Sequence, residues 1–476
     1  MFQYLDPMFA TFRPYFARRA SFHWFVIMIV GFYLCSDYEG LTSLIRWLSL
    51  RPSCYECLTH FFYATSWSLD TVMPVWITWV QTMCPVLSFS GRPLLIGDGI
   101  KVAKEGRKMP AVKALHQDSG NNSKKTTIWG HHHGVVGVAT GTLEKIFCTP
   151  LRAELHEGVT QWRPSVGVNG EPPTVVTRMA RLLLATAQQM GCPCYAVLDA
   201  YFAVGPTFLI LNECLIEDGS QLVHLITRAK KSTVAYFVPE EGVKRFRDAE
   251  KVKLKSLFAR SDAVTFHTAE ITMYGKAATI SYACLDLLWK PVDGLLRFVL
   301  VEHNGQQFLL MSSDLTLSPL TILEIYSLRT KIEVMFDVLK NLLGGLSYHF
   351  WTRSQPKLSR KKDWFPDVAG LNDAATAHIG AGLTAAERFV NLAVIAVGML
   401  QCLALTIPTQ IWQRYGGWLR TYSSAVPSER VVKTVLATEF MNRPRTIRRT
   451  ETFQIIRDKQ RTTPVSHPPL QAQGTS

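Results

Sequence analysis

The stretch "YSLRTKIEVMFDVLK", residues 326–340, spaces Tyr326, Arg329, Glu333 and Lys340 so that a helix gathers them on one side. At about 100° per residue they fall near 0°, 300°, 340° and 320°, a single polar seam. Ile325, Leu328, Ile332, Met335, Phe336, Leu339 and Leu343 cluster beside it, between roughly 180° and 280°, so the helix can bury one flank and still present the seam. Arg329 and Glu333 stand four residues apart, which alone describes a surface ion pair. Ser318 is a suitable N-cap with Pro319 at the first helical position, and Gly344-Gly345 supplies a stop. The pattern therefore predicts one helix of about 25 residues, roughly 37 Å long.

Upstream of the helix, "LLRFVLVEH" and "QQFLLMSSD" predict a hairpin around Asn304-Gly305. Further back, "PLLIGD" is a short apolar run that ends on Asp98. A basic stretch from 101 to 127 leads to "GVVGVATG" and "IFCTPLRAEL", so three strands in a meander are expected. "TVVTRMARLLLATAQQM" (174–190) has helical periodicity and precedes "CYAVLDA" (194–200), a buried-type strand that ends on Asp199. A helical segment near 206–216 and a strand at "LVHLITRAK" come next. The basic region 230–295 offers further strands, "TVAYFV", "AVTFHTAEI" and "ATISYACLDLLW". Residues 1–88 read as helices throughout, with a break at Arg51-Pro52-Ser53.

Apolar strands that end on an acid are informative, because a half-buried carboxylate costs several kcal/mol unless a partner compensates it. A hard divalent cation is such a partner, and oxygen donors from separate elements suit Mg²⁺ or Mn²⁺. The order of elements, three strands, a helix, a fourth strand, a helix and strand, then a late acid-bearing helix, resembles a ribonuclease H-like core. With the seam Y-x2-R-x3-E-x6-K following Asp98 and Asp199, residues 90 to 355 resemble the insertion-sequence-four family of DDE transposases.

That resemblance implies an α/β fold: a ribonuclease H-like catalytic core, its mixed sheet flanked by helices, with a β-rich insertion and an N-terminal helical domain. The expected divisions are a helical domain at 1–88, a candidate for reading DNA ends; core at 89–229; insertion at 230–295; and core resumed at 296–355 with the Glu-bearing helix. A helical region at 356–440 and a basic, disordered tail at 441–476 complete the chain. The resemblance also implies catalytic and metal-binding roles for Asp98, Asp199 and Glu333 around two Mg²⁺ or Mn²⁺ ions, and DNA contacts from Tyr326, Arg329 and Lys340. Its activity would be cleavage at transposon ends and strand transfer into target DNA. Its partners would be double-stranded inverted-repeat ends and target DNA, held by a dimer in the prokaryotic cytoplasm at the nucleoid. A nuclease without strand transfer, and a DNA-binding derivative that no longer cleaves, are the alternatives.

Composition agrees with a polyanionic partner: Lys plus Arg number 51 against 37 Asp plus Glu, a net charge of +14. Ten cysteines scattered from 35 to 402 favour reduced thiols, and the lone Cys54-x-x-Cys57 pair lacks the second pair of a zinc site. The apolar run 22–35 is short for a membrane span, and 389–407 contains Asn391 and Gln401, so both are expected as core helices rather than membrane segments. The run His131-His132-His133 is expected as surface or hydrogen-bonding residues, Asp314 as structural and Asp337 as part of a solvated helix face.

Overall fold

The computed structural model describes residues 1–37, 40–117, 126–142, 144–160, 162, 167–230, 232–238, 249–273, 276–359, 370–419, 425–442 and 447–461. Residues 239–248 of the expected insertion and 462–476 of the expected tail lie outside these residues. The first five helices are α1 (Phe2–Phe12), α2 (Arg19–Leu34), α3 (Leu41–Trp47), α4 (Cys54–Tyr63) and α5 (Leu69–Met83). Helix α2 is buried along nearly its whole length, as an unbroken apolar run requires in a core.

The sheet is built around one long strand. After β1 (Ser88–Phe89), the apolar run becomes β2 (Arg92–Ala103). It is followed by β3 (Lys113–His116), β4 (Thr127–Thr142) and β5 (Lys145–Leu155). Helix α6 (Val175–Met190), capped by Thr174, leads to β6 (Cys194–Leu198), and α7 (Gly205–Leu211) to β7 (Val223–Arg228). Strand β2 pairs antiparallel with β4 and parallel with β6; β4 pairs antiparallel with β5, and β6 parallel with β7. The order through this part is β5-β4-β2-β6-β7.

The expected insertion is not a separate layer. Strands β8 (Val234–Tyr236), β9 (Lys251–Lys253), β10 (His267–Met273), β11 (Lys276–Trp289), β12 (Gly294–His303) and β13 (Gln306–Ser312) continue the same sheet. The join is β13 against β7, at Leu310↔Arg228 through Ser312↔Ile226. A division at 295 therefore falls inside β12, which pairs with β11 from Ser281↔Glu302 to Trp289↔Gly294. The β12–β13 turn has Asn304 at φ 48° and Gly305 at φ 72°, the left-handed pair that a two-residue hairpin needs.

Next comes the rod that the opening stretch predicts, in four pieces. Helix α8 (Pro319–Ser327), capped by Ser318, tightens to a 3₁₀ turn at Leu328–Thr330. It resumes as α9 (Lys331–Asp337) and widens to a π turn at Val338–Leu342, ending before Gly344 at φ 64°. The extent of the helix agrees with the prediction and its regularity does not; such departures from α geometry frequently occur at functional sites.

The last helices are α10 (Asp373–Thr406), α11 (Pro408–Arg414), α12 (Glu429–Asn442) and α13 (Glu451–Arg457). Helix α10 is long and apolar enough to cross a membrane, yet 89% of its most apolar window is buried within the protein. Its two amides have partners here. Asn391 accepts from the Ala153 N–H at 3.0 Å and donates to the Ala153 carbonyl at 2.8 Å, while Gln401 donates to the Cys148 carbonyl and to Glu429. Helix α13 lies within the stretch expected as a disordered tail: Ile455 and Ile456 are buried, and the Asp6 carboxylate accepts from the Glu451 and Thr452 N–H groups. The N-terminal and C-terminal helices share one apolar core with the sheet, so 1–88 and 356–440 interlock.

Arg388 on α10 is 6% exposed and donates to the carbonyls of Phe62, Ala64 and Trp67, its guanidinium stacked on the Trp67 ring. Arg388→Met leaves those carbonyls unpaired and should lower stability by about 3 kcal/mol, read from urea unfolding.

Candidate functional site

Two carboxylates stand just past the last parallel pair of β2 and β6: Asp199 follows the end of β6, while Asp98, expected at a strand end, lies inside β2, which runs on to Ala103. The parallel register Ile96↔Val197 sets Asp98 and Asp199 each two residues further on, at matching height, just where β6 ends. The carboxyl ends of parallel strands are where open α/β sheets leave room for a ligand. Asp98 Oδ1 accepts from the Gly99 N–H at 2.7 Å, and Asp199 Oδ1 accepts from the Tyr201 N–H at 3.0 Å, capping a 3₁₀ turn at Ala200–Phe202. Asp199 is thus both a turn-former and a cleft residue, while the Thr227 hydroxyl on β7 holds its carbonyl.

The helical rod brings Glu333 and Arg329 to the same place. Arg329 is largely buried; it donates to Glu333 Oε1 at 2.6 Å and reaches Asp98 Oδ2 at 3.5 Å. It stands between two carboxylates that would otherwise repel each other. The surface ion pair read from the spacing therefore exists and has a third member. Glu333 is exposed, whereas Tyr326 is only 9% exposed. Lys340, within the π turn, is exposed and lines a cleft of about 890 Å³ together with Asp98 and Asp199. Asp337 accepts from the Asn341 amide on the solvated face, and Asp314 is buried under the Tyr195 hydroxyl and Thr316.

The cleft has walls that the sequence reading did not assemble. Lys101, Lys113, His116, His132 and Glu157 line it, with Lys113 paired to Glu157. The three histidines are buried, at 1%, 6% and 0% exposure, rather than at the surface. Strand alternation explains the split: His131 and His133 point to one face, where both bond the Tyr348 hydroxyl, and His132 to the other, beside the cleft. The legible signal was glycine within apolar strands. A Cβ at Gly99 would come within 2.1 Å of the His132 ring, and one at Gly134 within 1.8 Å of His156, so both glycines make room for an imidazole. Burial keeps His132 neutral, its pKa down to about 4.

Asp98 shows the electrostatic state of the site. Burial first, and Asp199 second, push its carboxyl up to about 6, against the opposing pull of the Gly99 N–H and Arg329. Its charge is under-compensated, which is the condition a hard cation relieves. Asp98, within β2, and Asp199, just past β6, are carboxylates carried by neighbouring strands. Glu333 is held by Arg329, and among the described residues no three His, Cys, Asp or Glu side chains stand together as a ready cage. Asp98 and Asp199 are oxygen donors of the type a divalent cation takes, while Glu333 is engaged by Arg329.

Compared with known proteins, the chain matches no family model and no curated sequence. The structure itself defines a mixed α/β protein, a large mixed sheet flanked by helices, with an acid-lined, lysine-rimmed cleft at the ends of its parallel strands.

The raised carboxyl has a signed consequence. Between the ordinary value of 3.8 and about 6 the folded chain binds the Asp98 proton that the unfolded chain has lost, so this group makes stability fall as pH rises through that window. In metal-free buffer Asp98→Asn should remove that fall and stabilise the protein by about 2 kcal/mol near neutral pH, measured by urea unfolding at a series of pH values.

Proposed function

We propose that the chain is a DDE transposase with a ribonuclease H-like core, cleaving DNA at the ends of a mobile element and joining them to target DNA. The observation that carries the reading is the matched height of Asp98 and Asp199 on adjacent parallel strands, with Glu333 tied to Asp98 through Arg329. Further support comes from the order β5-β4-β2-β6-β7, three antiparallel strands and then two parallel ones, with the third acid on a late helix. Asp98 on β2, Asp199 just after β6 and Glu333 on α9 come in the chain order that the resemblance implies.

Asp98, Asp199 and Glu333 would hold Mg²⁺ or Mn²⁺, which when bound supplies activation of the attacking oxygen and stabilisation of the leaving one. The chain's own residues handle the nucleic acid. Lys340, Lys101 and Lys113 around the cleft neutralise backbone phosphates, and the excess of 14 positive charges draws the duplex to the protein. Arg329 holds Asp98 and Glu333 while no substrate is present, and its planar fork matches a phosphate in shape and charge. Tyr326 is buried, so its share is to support Arg329 rather than to stack on a base. Two ends must be brought together for transfer, so the active form on DNA is a dimer.

A supercoiled plasmid that carries the gene with its flanking DNA tests the reading. The wild-type chain should release the element in Mg²⁺ and join it to a second plasmid. Glu333→Gln should lower cleavage by about a thousandfold or more while DNA affinity stays within about threefold. Cleavage by the Gln variant at the wild-type rate would overturn the assignment, and cleavage without joined product would reduce it to a nuclease.

A further inference from the structure

We propose that Lys104 and Tyr348 form a buried latch that sets the Glu333-bearing rod against the strand carrying Asp98. The idea rests on the functional reading above for its consequence, since only then does the height of Glu333 matter to a reaction. The latch itself rests on geometry.

Past the π turn the chain reverses at Gly344 and Gly345. A Cβ at Gly345 would meet Ala393 on α10 at 2.5 Å, so the strap that follows runs tight against that helix. Residues Leu346 to Phe350 then cross the end of β2. Lys104, one residue beyond β2 and 4% exposed, donates from Nζ to the Leu346 carbonyl at 2.6 Å and to the Tyr348 carbonyl at 2.8 Å. The same ammonium stands 3.6 Å from the centroid of the Tyr348 ring. Among the described residues, the hydrogen bonds of this ammonium both go to carbonyls of the strap. A buried ammonium held by carbonyls and a ring is an expensive way to join two segments, and packed apolar side chains would serve a purely structural joint as well.

Tyr348 carries the connection on to β4. Its hydroxyl lies 2.6 Å from His131 Nδ1 and 2.8 Å from His133 Nε2, and His131 Nε2 is 2.7 Å from the Pro110 carbonyl. One proton arrangement satisfies these contacts. His131 donates from Nε2 to Pro110 and accepts the Tyr348 proton at Nδ1; His133 donates from Nε2 to the Tyr348 oxygen, which leaves His133 Nδ1 bare. That atom is buried without a partner. Both rings are neutral, their pKa values driven down by burial. Strand β2, its neighbour β4 and the strap thus form one hydrogen-bonded unit. The strap is fastened again beyond it, where the Thr352 N–H donates to the Lys108 carbonyl and the Leu358 N–H to that of Arg107. The rod transmits the position of its end to Glu333, roughly 15 Å along its axis from Leu343. Displacements of about 1 Å at a reacting centre can cost on the order of a hundredfold in rate.

Lys104→Met keeps the stem and removes the ammonium; Tyr348→Phe keeps the ring and removes the hydroxyl. In the full chain, each should lower plasmid cleavage per bound complex by about tenfold to a hundredfold with DNA affinity within about threefold. Hydrogen exchange should speed up at the amides of 339–350 and stay unchanged at 92–103. Should Lys104→Met fail to fold, Tyr348→Phe decides. Unchanged exchange in the strap of a folded variant, or wild-type cleavage by both variants, overturns the latch. If the wild-type chain cuts no DNA, the functional reading falls while faster exchange in the strap still upholds the latch.

Discussion

The edge of β5 is the constraint on which the arrangement of layers depends. A strand at a sheet edge leaves backbone donors and acceptors that must be covered or paired. Here α10 does the pairing with side chains: Asn391 closes on both polar groups of Ala153, and Glu387 accepts from the Leu155 N–H. A helix that offers polar groups to a strand must lie along it in one register. That fixes α10, and with it α2, α4, α5 and α12, which pack against α10. The opposite extreme of the sheet is treated differently: β9 is three residues long, and its two lysines point to solvent, a short charged edge that discourages pairing with another chain.

Around the cleft the problem is charge rather than hydrogen bonding. Three acids approach one another, and a single guanidinium balances two of them. Arg329 therefore serves a folding purpose as well as the proposed functional one, since without it Asp98 would face Asp199 and Glu333 with only the Gly99 N–H to help. The carboxyl of Asp98 remains raised even so, because desolvation outweighs the partners.

Much of this was legible in the sequence. The strand end at Asp199, the capped helix beginning at Pro319 and the Asn304-Gly305 hairpin all follow from local pattern, because turn chemistry and capping act within a few residues, whereas the apolar run expected to end on Asp98 continues as strand to Ala103. The polar pair Asn391 and Gln401 correctly marked their helix as one that packs inside the protein, although the sequence could not say that the partner was the backbone of β5. Long-range features stayed hidden for a physical reason. That the strands from Val234 onward join the same sheet depends on Leu310 meeting Arg228, a pairing between residues far apart in the chain. The burial of His131 and His133 depends on Tyr348, and the order of 447–461 on Asp6 and Leu50. Nothing in a local window signals such contacts. Nor does helical periodicity anticipate the 3₁₀ and π turns, since a wheel assumes the regularity that they break.

The parallel register that sets Ile96 beside Val197 has a bearing on how this chain can change length. Segments outside the strands, such as the one between β5 and α6, can gain or lose residues without moving either acid, because each acid is positioned by its own strand. A single deletion within β2 or β6 is another matter: alternation would turn one carboxylate to the far side of the sheet and break the site in one step. Insertions and deletions in the relatives of such a chain should therefore crowd into its connections and leave the two strands that position the acids at constant length.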